Sequence, residues 1–87
     1  DEMSWKIEWH PKASKELEAF SENIRQRIIK RMDKVKENPF RFLEHFEGKG
    51  YYKLRIGDYR ALVSLDFANK VIEIQMFDHR GGIYKRV

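Results

Sequence analysis

The sequence predicts an α+β fold, in which an N-terminal strand and a two-helix hairpin pack on one face of a mainly antiparallel β-sheet that ends in a three-stranded meander. Two patterns predict this fold. Apolar residues recur at helical spacing over residues 11–37, whereas polar and apolar residues alternate over residues 51–77. Because both helices precede the meander, they are expected on one face of the sheet. The length of 87 residues fits a single domain, residues 1–87.

A strand and a short helix are predicted first. Alternation over residues 4–9 places Trp5, Ile7 and Trp9 on one face of a strand, whose neighbour in the sheet the sequence leaves open. Pro11 suits the start of a helix, because the N–H that proline lacks would have no helical partner there. The apolar side of this helix carries Ala13, Leu17 and Phe20.

The second helix is predicted to run to about Glu37. Ser21, at its start, can accept a hydrogen bond from the first turn. Asn38-Pro39 ends it, since proline cannot continue a helix. Residues 40–46 are then expected to form an irregular link whose aromatic side chains pack against the core. The buried stripe of the second helix carries Ile24, Ile28, Met32 and Val35.

Three strands of the meander are expected at about residues 51–56, 59–66 and 70–77. Gly57-Asp58 is predicted to be a two-residue hairpin turn, with glycine at the first central position as a type II′ turn requires. The last strand is expected to point three apolar residues inward. These are Ile72, Ile74 and Met76.

The hairpin brings Lys53, Arg55 and Arg60 together, and we call these three residues the cationic cluster. Lys53 and Arg55 share a face by the period of two, and the turn sets Arg60 opposite Arg55. Like charges directly opposite each other destabilise a sheet by up to about 1 kcal/mol, so the sequence indicates a need for positive charge here. With the helices on the other face, this face is expected to be open to a phosphate backbone. The alternative is a solvated edge that discourages aggregation.

The amino-acid composition limits the partners, cofactors and reactions that the protein can have. The net charge of +4 and a pI of about 9.4 favour acidic partners such as nucleic acid. The chain has no cysteine, and its three histidines lack metal-ligand spacing, so no cofactor is expected. No apolar run approaches the roughly 20 residues of a membrane span, so cytoplasm is the expected location. The cationic cluster suits RNA cleavage, in which the 2′-hydroxyl attacks the adjacent phosphate and the cations stabilise the added charge.

Two segments resemble the RelE/ParE superfamily of toxin–antitoxin toxins. They are the Tyr-Lys-Leu-Arg-Ile-Gly-Asp-Tyr-Arg-Ala-Leu-Val run at 52–63 and the His-Arg-Gly-Gly-Ile-Tyr run at 79–84. The Trp-His-Pro-Lys-Ala-Ser-Lys-Glu-Leu run at 9–17 adds to the resemblance. In the RelE branch, the resemblance implies a ribosome-dependent endonuclease that cleaves messenger RNA in the ribosomal A site. It also implies inhibition by a cognate RelB-like antitoxin, expected to be acidic and partly helical.

The resemblance also implies roles for the cationic cluster. Lys53 and Arg55 take the places of the two basic residues on the second strand of the RelE branch. Arg55 keeps positive charge where RelE proteins often have lysine. Arg60 takes the place of the arginine on the next strand, which by analogy holds the scissile phosphate.

Three residues near the C-terminus complete the implied site. Arg80 would stabilise or protonate the leaving oxygen. Tyr84 would stack on a base or take the 2′ proton, and His79 is a further candidate acid or base. The spacing between the tail arginine and the tail tyrosine varies within the family.

The basic face of the second helix and the aromatic residues can each be interpreted in two ways. The basic face of the second helix either is simply solvated or docks on ribosomal RNA. Most aromatic residues are expected in the core, although Tyr51 shares the face of Lys53 and could stack on a base. The basic face consists of Arg27, Lys30, Arg31 and Lys34.

Two other functions stay open. One is a ParE-like toxin that poisons DNA gyrase without nuclease chemistry. The other is an RNA-binding domain without catalysis. The cationic cluster with the tail tyrosine favours the RelE-like function, because ParE-type relatives generally lack that full set.

Overall fold

The computed structural model describes residues 4–46 and 50–79, with the backbone alone for Phe46, Asp78 and His79. It confirms the predicted α+β fold, with helices packed against a five-stranded sheet of order β1-β5-β4-β3-β2. No helix in these ranges is long and apolar enough to cross a membrane. The elements are β1 (Lys6–Trp9), α1 (Pro11–Ala19), α2 (Glu22–Glu37), α3 (Pro39–Phe42), β2 (Leu43–Phe46), β3 (Tyr51–Ile56), β4 (Tyr59–Asp66) and β5 (Val71–His79).

The two long helices begin and end where the sequence predicts. Pro11 is the first residue of α1, and the Nδ1 atom of His10 accepts a hydrogen bond from the Lys12 N–H at 3.4 Å. The Ser21 hydroxyl caps α2 by accepting from the Ile24 N–H at 3.4 Å. Three residues of the predicted stripe of α2 are buried and face the sheet, namely Ile28, Met32 and Val35.

The first strand lies at one edge of the sheet. It runs parallel to β5, from the Lys6–Val71 pair to the Trp9–Ile74 pair. The other three strand pairs are antiparallel. The neighbour that the sequence left open is therefore the last strand, β5. The helices α1, α2 and α3 connect β1 to β2 at the opposite edge of the sheet.

The predicted irregular link over residues 40–46 is wrong. Pro39 starts the short helix α3, and β2 then pairs with β3 in the register Leu43–Leu54. A four-residue strand is too short to show a clear alternation, and its pairing with β3 is non-local. The expected burial of the aromatics in this link also fails in part, since Phe42 is half-buried but Phe40 is 57% exposed.

The prediction that Met76 points into the main core is also wrong. The register shifts where Leu62 pairs with Met76 and Val63 with Ile74, which leaves Gln75 as an extra residue on β5. This bulge reverses the alternation. Met76 therefore joins Leu62 in a small apolar cluster on the opposite face, and Phe77 enters the main core at 1% exposure.

Candidate functional site

The β3–β4 hairpin has the predicted turn and register. Ile56 pairs with Tyr59 and Arg55 with Arg60, on either side of Gly57-Asp58. Gly57 has φ of +59°, which a residue with a side chain rarely adopts, whereas Asp58 does not have a positive φ. This combination is the type II′ geometry, whose twist matches that of the strands. The turn thereby fixes the position of Arg60 relative to Arg55.

The three residues of the cationic cluster share a face but differ in exposure. Arg55 is exposed and Lys53 is half-buried, whereas Arg60 is only 9% exposed. The expectation of an open face is therefore wrong for Arg60. Its Nη1 donates hydrogen bonds to the carbonyls of Tyr59 at 3.0 Å and Gly57 at 3.2 Å, and these acceptors replace the water that burial removes.

The arrangement of Arg60 suits it to hold an anion. Its two bonds to the turn engage only Nη1, and a guanidinium has further donors on Nη2 and Nε in a planar fork. Because the turn already positions the group, little side-chain freedom is lost when a phosphate binds. A fixed, partly desolvated donor is the kind of group that stabilises charge developing on phosphate oxygens.

Acidic residues occupy cross-strand positions opposite two members of the cationic cluster. Glu44 on β2 pairs in register with Lys53, and Asp78 on β5 occupies the position opposite Arg60. A cross-strand pair of opposite charge, such as Glu44–Lys53, stabilises a sheet by a few tenths to about 1 kcal/mol. Neither pairing could have been found from the sequence, because the Arg60–Asp78 pairing depends on the bulge at Gln75 and the Glu44–Lys53 pairing depends on β2.

Apolar side chains lie beside the cationic cluster on the same face. Leu62, the cross-strand partner of Lys53, and Met76 are buried there, with Tyr51 packed against them. Tyr51 therefore has a packing role in this cluster, and its stacking on a base stays a prediction. The face that carries the cationic cluster therefore also holds a small, buried apolar cluster next to the charged residues.

The basic residues of α2 form a second positive surface. All four of them line one shallow groove of about 180 Å³, and the Arg31 guanidinium lies 5.4 Å from the centre of the Phe42 ring. A Cβ placed on Gly57 would lie 3.1 Å from Nη1 of Arg27, so the hairpin turn touches this surface. Since Gly57 also accepts from Arg60, positive charge continues from α2 around the turn to the cationic cluster. The groove residues are Arg27, Lys30, Arg31 and Lys34.

The remaining predicted site residues, His79, Arg80 and Tyr84, lie near the C-terminus. His79 is the last residue of β5, where its backbone pairs with Tyr59 at the hairpin end of the sheet. Its side chain lies outside the described part of the structure, as do Arg80 and Tyr84. Their proposed roles rest on the sequence.

The family of the chain follows from a comparison of its sequence. Residues 7–84 match the ParE toxin of the type II toxin–antitoxin system parDE. The chain belongs to this toxin family. The match spans both the hairpin and the C-terminal segment that resemble RelE/ParE toxins, so the superfamily inferred from those motifs is confirmed. No curated protein sequence is similar enough to count as a match.

Solved structures extend the comparison from the ParE family to RelE toxins. The RelE–RelB complex from Pyrococcus horikoshii matches at 28% identity with a TM-score of 0.78, covering 91% of this chain and 98% of that one. The RelBE2 complex from Mycobacterium tuberculosis matches at 20% identity with a TM-score of 0.81, covering 88% and 99%. The Escherichia coli RelBE complex matches at 19% identity with a TM-score of 0.74, covering 87% and 96%. The last two likenesses show a shared fold.

Proposed function

We propose that this ParE-family toxin is a ribosome-dependent messenger-RNA endonuclease that cleaves by attack of the 2′-hydroxyl on the adjacent phosphate. The observation that carries the proposal is Arg60, a buried guanidinium held by the carbonyls of Gly57 and Tyr59 and placed opposite Arg55. The fold does not need two facing arginines, and it holds one of them in a fixed position. Charge stabilisation at a phosphate explains both features.

The proposed roles follow from position and chemistry. Arg60 holds the scissile phosphate, and Arg55 and Lys53 add positive charge along the same strand face. Arginine and lysine are poor proton carriers near neutral pH, so proton transfer falls to other groups. We assign proton transfer to Tyr84 and His79, as acid and base in either order. Arg80 stabilises the negative charge that develops on the leaving oxygen.

The groove on α2 is proposed to contact ribosomal RNA. Its positive charge continues around the Gly57 turn to the cationic cluster, so one nucleic-acid surface could engage both. Such binding releases counterions and weakens steeply as salt concentration rises. The ribosome would then contribute the positioning that three cations alone do not supply.

An antitoxin is the proposed inhibitor. The matching structures from P. horikoshii, M. tuberculosis and E. coli are toxin–antitoxin complexes. A net charge of +4 favours an acidic partner, and we expect a RelB-like, partly helical protein encoded beside this gene.

A second function has an observation in its favour. The matching family is named for ParE, and the ParE-like alternative is a toxin that binds and poisons DNA gyrase without cutting RNA. In that case the cationic cluster would contact gyrase or DNA, and the 2′-hydroxyl of RNA would have no role. The cationic cluster and Tyr84 together favour the RelE-like function over this one.

Induction of the chain in cells separates the two functions. We expect new 5′ ends on messenger RNA, in register with the reading frame, within minutes of induction. Sequencing of 5′ ends together with ribosome positions measures this. Intact transcripts with trapped gyrase–DNA complexes would instead establish the ParE-like function. Intact transcripts with ribosome binding alone would indicate an RNA-binding domain without catalysis.

Tyr84 can be tested for stacking against proton transfer. A tyrosine hydroxyl ordinarily has a pKa of about 10, which suits a base poorly at neutral pH, so we expect stacking. Tyr84→Phe should then keep most of the single-turnover cleavage rate, whereas Tyr84→Ala should lower it by about 10- to 100-fold. Equal, large losses in both variants with unchanged ribosome binding would assign the proton transfer to the hydroxyl. Unchanged rates in both would remove Tyr84 from the site.

A further inference from the structure

Three aromatic rings from distant segments meet at the end of the sheet opposite the hairpin turn, and we call them the aromatic anchor: Trp5, Phe40 and Phe67. Trp5 makes edge contacts with both phenylalanines, each with ring centres 5.9 Å apart. Phe40 and Phe67 stack on each other at 6.1 Å and 12°. Trp5 is buried, but Phe40 and Phe67 are 57% and 58% exposed, so the anchor presents a continuous apolar surface to solvent.

Backbone hydrogen bonds hold the segments that carry these rings. The Trp5 N–H donates to the carbonyl of Lys36, the last-turn residue of α2, at 2.9 Å. The next residue, Lys6, donates to the Lys70 carbonyl at 2.9 Å, which ties β1 to the turn after Phe67. A rigid apolar surface loses little conformational entropy when a partner binds to it.

The turn that carries Phe67 is itself braced. The Asp66 carboxylate accepts hydrogen bonds from the Asn69 side chain at 2.9 Å and from the Asn69 backbone N–H at 3.1 Å. These bonds, the side-chain one above all, lower the pKa of Asp66, so this carboxylate is charged and engaged within the turn.

Lysines occur on each segment next to the anchor. Lys6 follows Trp5, the carbonyl of Lys36 accepts the Trp5 backbone bond, and Lys70 ends the turn of Phe67. The Lys36 ammonium lies 3.9 Å from the Asp33 carboxylate, in a solvent-exposed pair of the kind that contributes little to stability. An apolar centre with a positively charged rim matches a protein segment that carries a bulky apolar side chain between carboxylates. Because each phenylalanine already stacks on the other, neither can offer both faces to a base, which favours a protein over RNA.

We propose that the aromatic anchor is the docking site of the antitoxin, through an acidic segment that packs a large apolar side chain against Phe40 and Phe67. The inference rests on the toxin function proposed above and names the surface that the inhibitor uses. Asp66 lies six positions after Arg60 along β4, so the anchor lies roughly 20 Å from Arg60. The antitoxin is thus held at a surface distinct from the cationic cluster.

The test uses the full chain and the purified product of the neighbouring gene. The variants are Phe40→Ala, Phe67→Ala and their combination, and the control is Ile29→Ala. Ile29 is another exposed large apolar residue, 42% exposed on α2 and outside the anchor. Trp5 is left unchanged because it is buried. Calorimetric titration measures binding, thermal melting measures folding, and cleavage on programmed ribosomes measures activity.

We expect each single variant to weaken binding about 30-fold and the double variant at least 100-fold, as for central interface aromatics. Ile29→Ala should bind within about twofold of the wild type, and the anchor variants should cleave messenger RNA at the wild-type rate. Unchanged antitoxin binding by the folded double variant would overturn the inference and leave the proposed function intact. Normal binding with lost cleavage would assign the anchor to the ribosome. A wild-type chain that neither binds the neighbouring product nor cleaves RNA would overturn the proposed function as well.

Discussion

Replacing Arg60 by alanine is expected to lower single-turnover cleavage of ribosome-bound messenger RNA by about 10²- to 10³-fold, the loss typical of removing one preorganised donor to a developing charge. Arg60 is 9% exposed and its guanidinium is held by two carbonyls of the turn, so the donor is in place before a phosphate binds. Arg60→Lys should recover little of the rate, because an ammonium lacks the planar fork that bridges the turn and a phosphate. Rates are measured at saturating concentrations of programmed ribosomes.

The same substitution should also cost stability. Removal of the two hydrogen bonds from a charged donor to the Gly57 and Tyr59 carbonyls is expected to cost about 1–3 kcal/mol. The loss of Arg55–Arg60 repulsion offsets up to about 1 kcal/mol of this cost. Activity must therefore be compared per folded molecule, with the folded fraction taken from thermal melts.

Arg25 provides the matched control. Its Nη1 also donates to backbone carbonyls, those of Phe20 at 2.6 Å and Glu18 at 3.3 Å, but Arg25 belongs neither to the cationic cluster nor to the groove on α2. Arg25→Ala should lower stability by a similar amount and leave the cleavage rate per folded molecule near that of the wild type. If Arg60→Ala cuts as fast as Arg25→Ala, the cationic cluster is not the active site.

Local signals account for most of the fold that the sequence predicts. Pro11, Ser21 and Pro39 act on the residues next to them, so the limits of α1 and α2 could be read directly from the sequence. Gly57 determines the geometry of the hairpin in the same local way, because its positive φ sets the turn type and therefore the register. Each of these effects depends on a few neighbouring residues.

Non-local pairing accounts for the errors. The strand β2 exists because its residues pair with β3, and its four residues carry too little alternation to reveal that pairing. The bulge at Gln75 arises from the pairing of β4 with β5. A strict alternation without the bulge would place the side chains of Met76 and Phe77 each on the wrong face of the sheet. Neither effect has a signal within its own segment.

The features of the candidate site also differ in whether neighbouring residues or the whole fold determine them. The Arg55–Arg60 juxtaposition follows from the turn and could be predicted, whereas the burial of Arg60 depends on the path of two carbonyls that only the folded turn defines. The exposure of Phe40 and Phe67 could not be predicted either. Composition assigns large aromatics to the core, and their position beside Trp5 results from the meeting of α3 with the β4–β5 turn.

Truncation of Phe77 is expected to have the largest effect on stability. Its ring lies 5.8 Å from Trp9 and 5.9 Å from Phe20, and its N–H donates to the Glu16 carboxylate at 2.9 Å, which ties α1 to β5. Phe77→Ala would leave a large cavity at this junction and should cost about 3–5 kcal/mol. Small domains have about 5–15 kcal/mol in total, so Phe77→Leu is included as a milder variant.

Met76→Ala tests the bulge that exchanges these two positions. Met76 packs in a cluster whose other buried residue is Leu62, on the face away from the helices, so its truncation should cost about 2 kcal/mol, the low end of the range for methionine. Urea unfolding of the three variants measures the order of these costs. With the bulge, Phe77→Ala loses more stability than Met76→Ala, and Phe77→Leu lies between Phe77→Ala and the wild type. A strict alternation without the bulge would put Met76 in the main core, and Met76→Ala would then be the more destabilising of the two truncations.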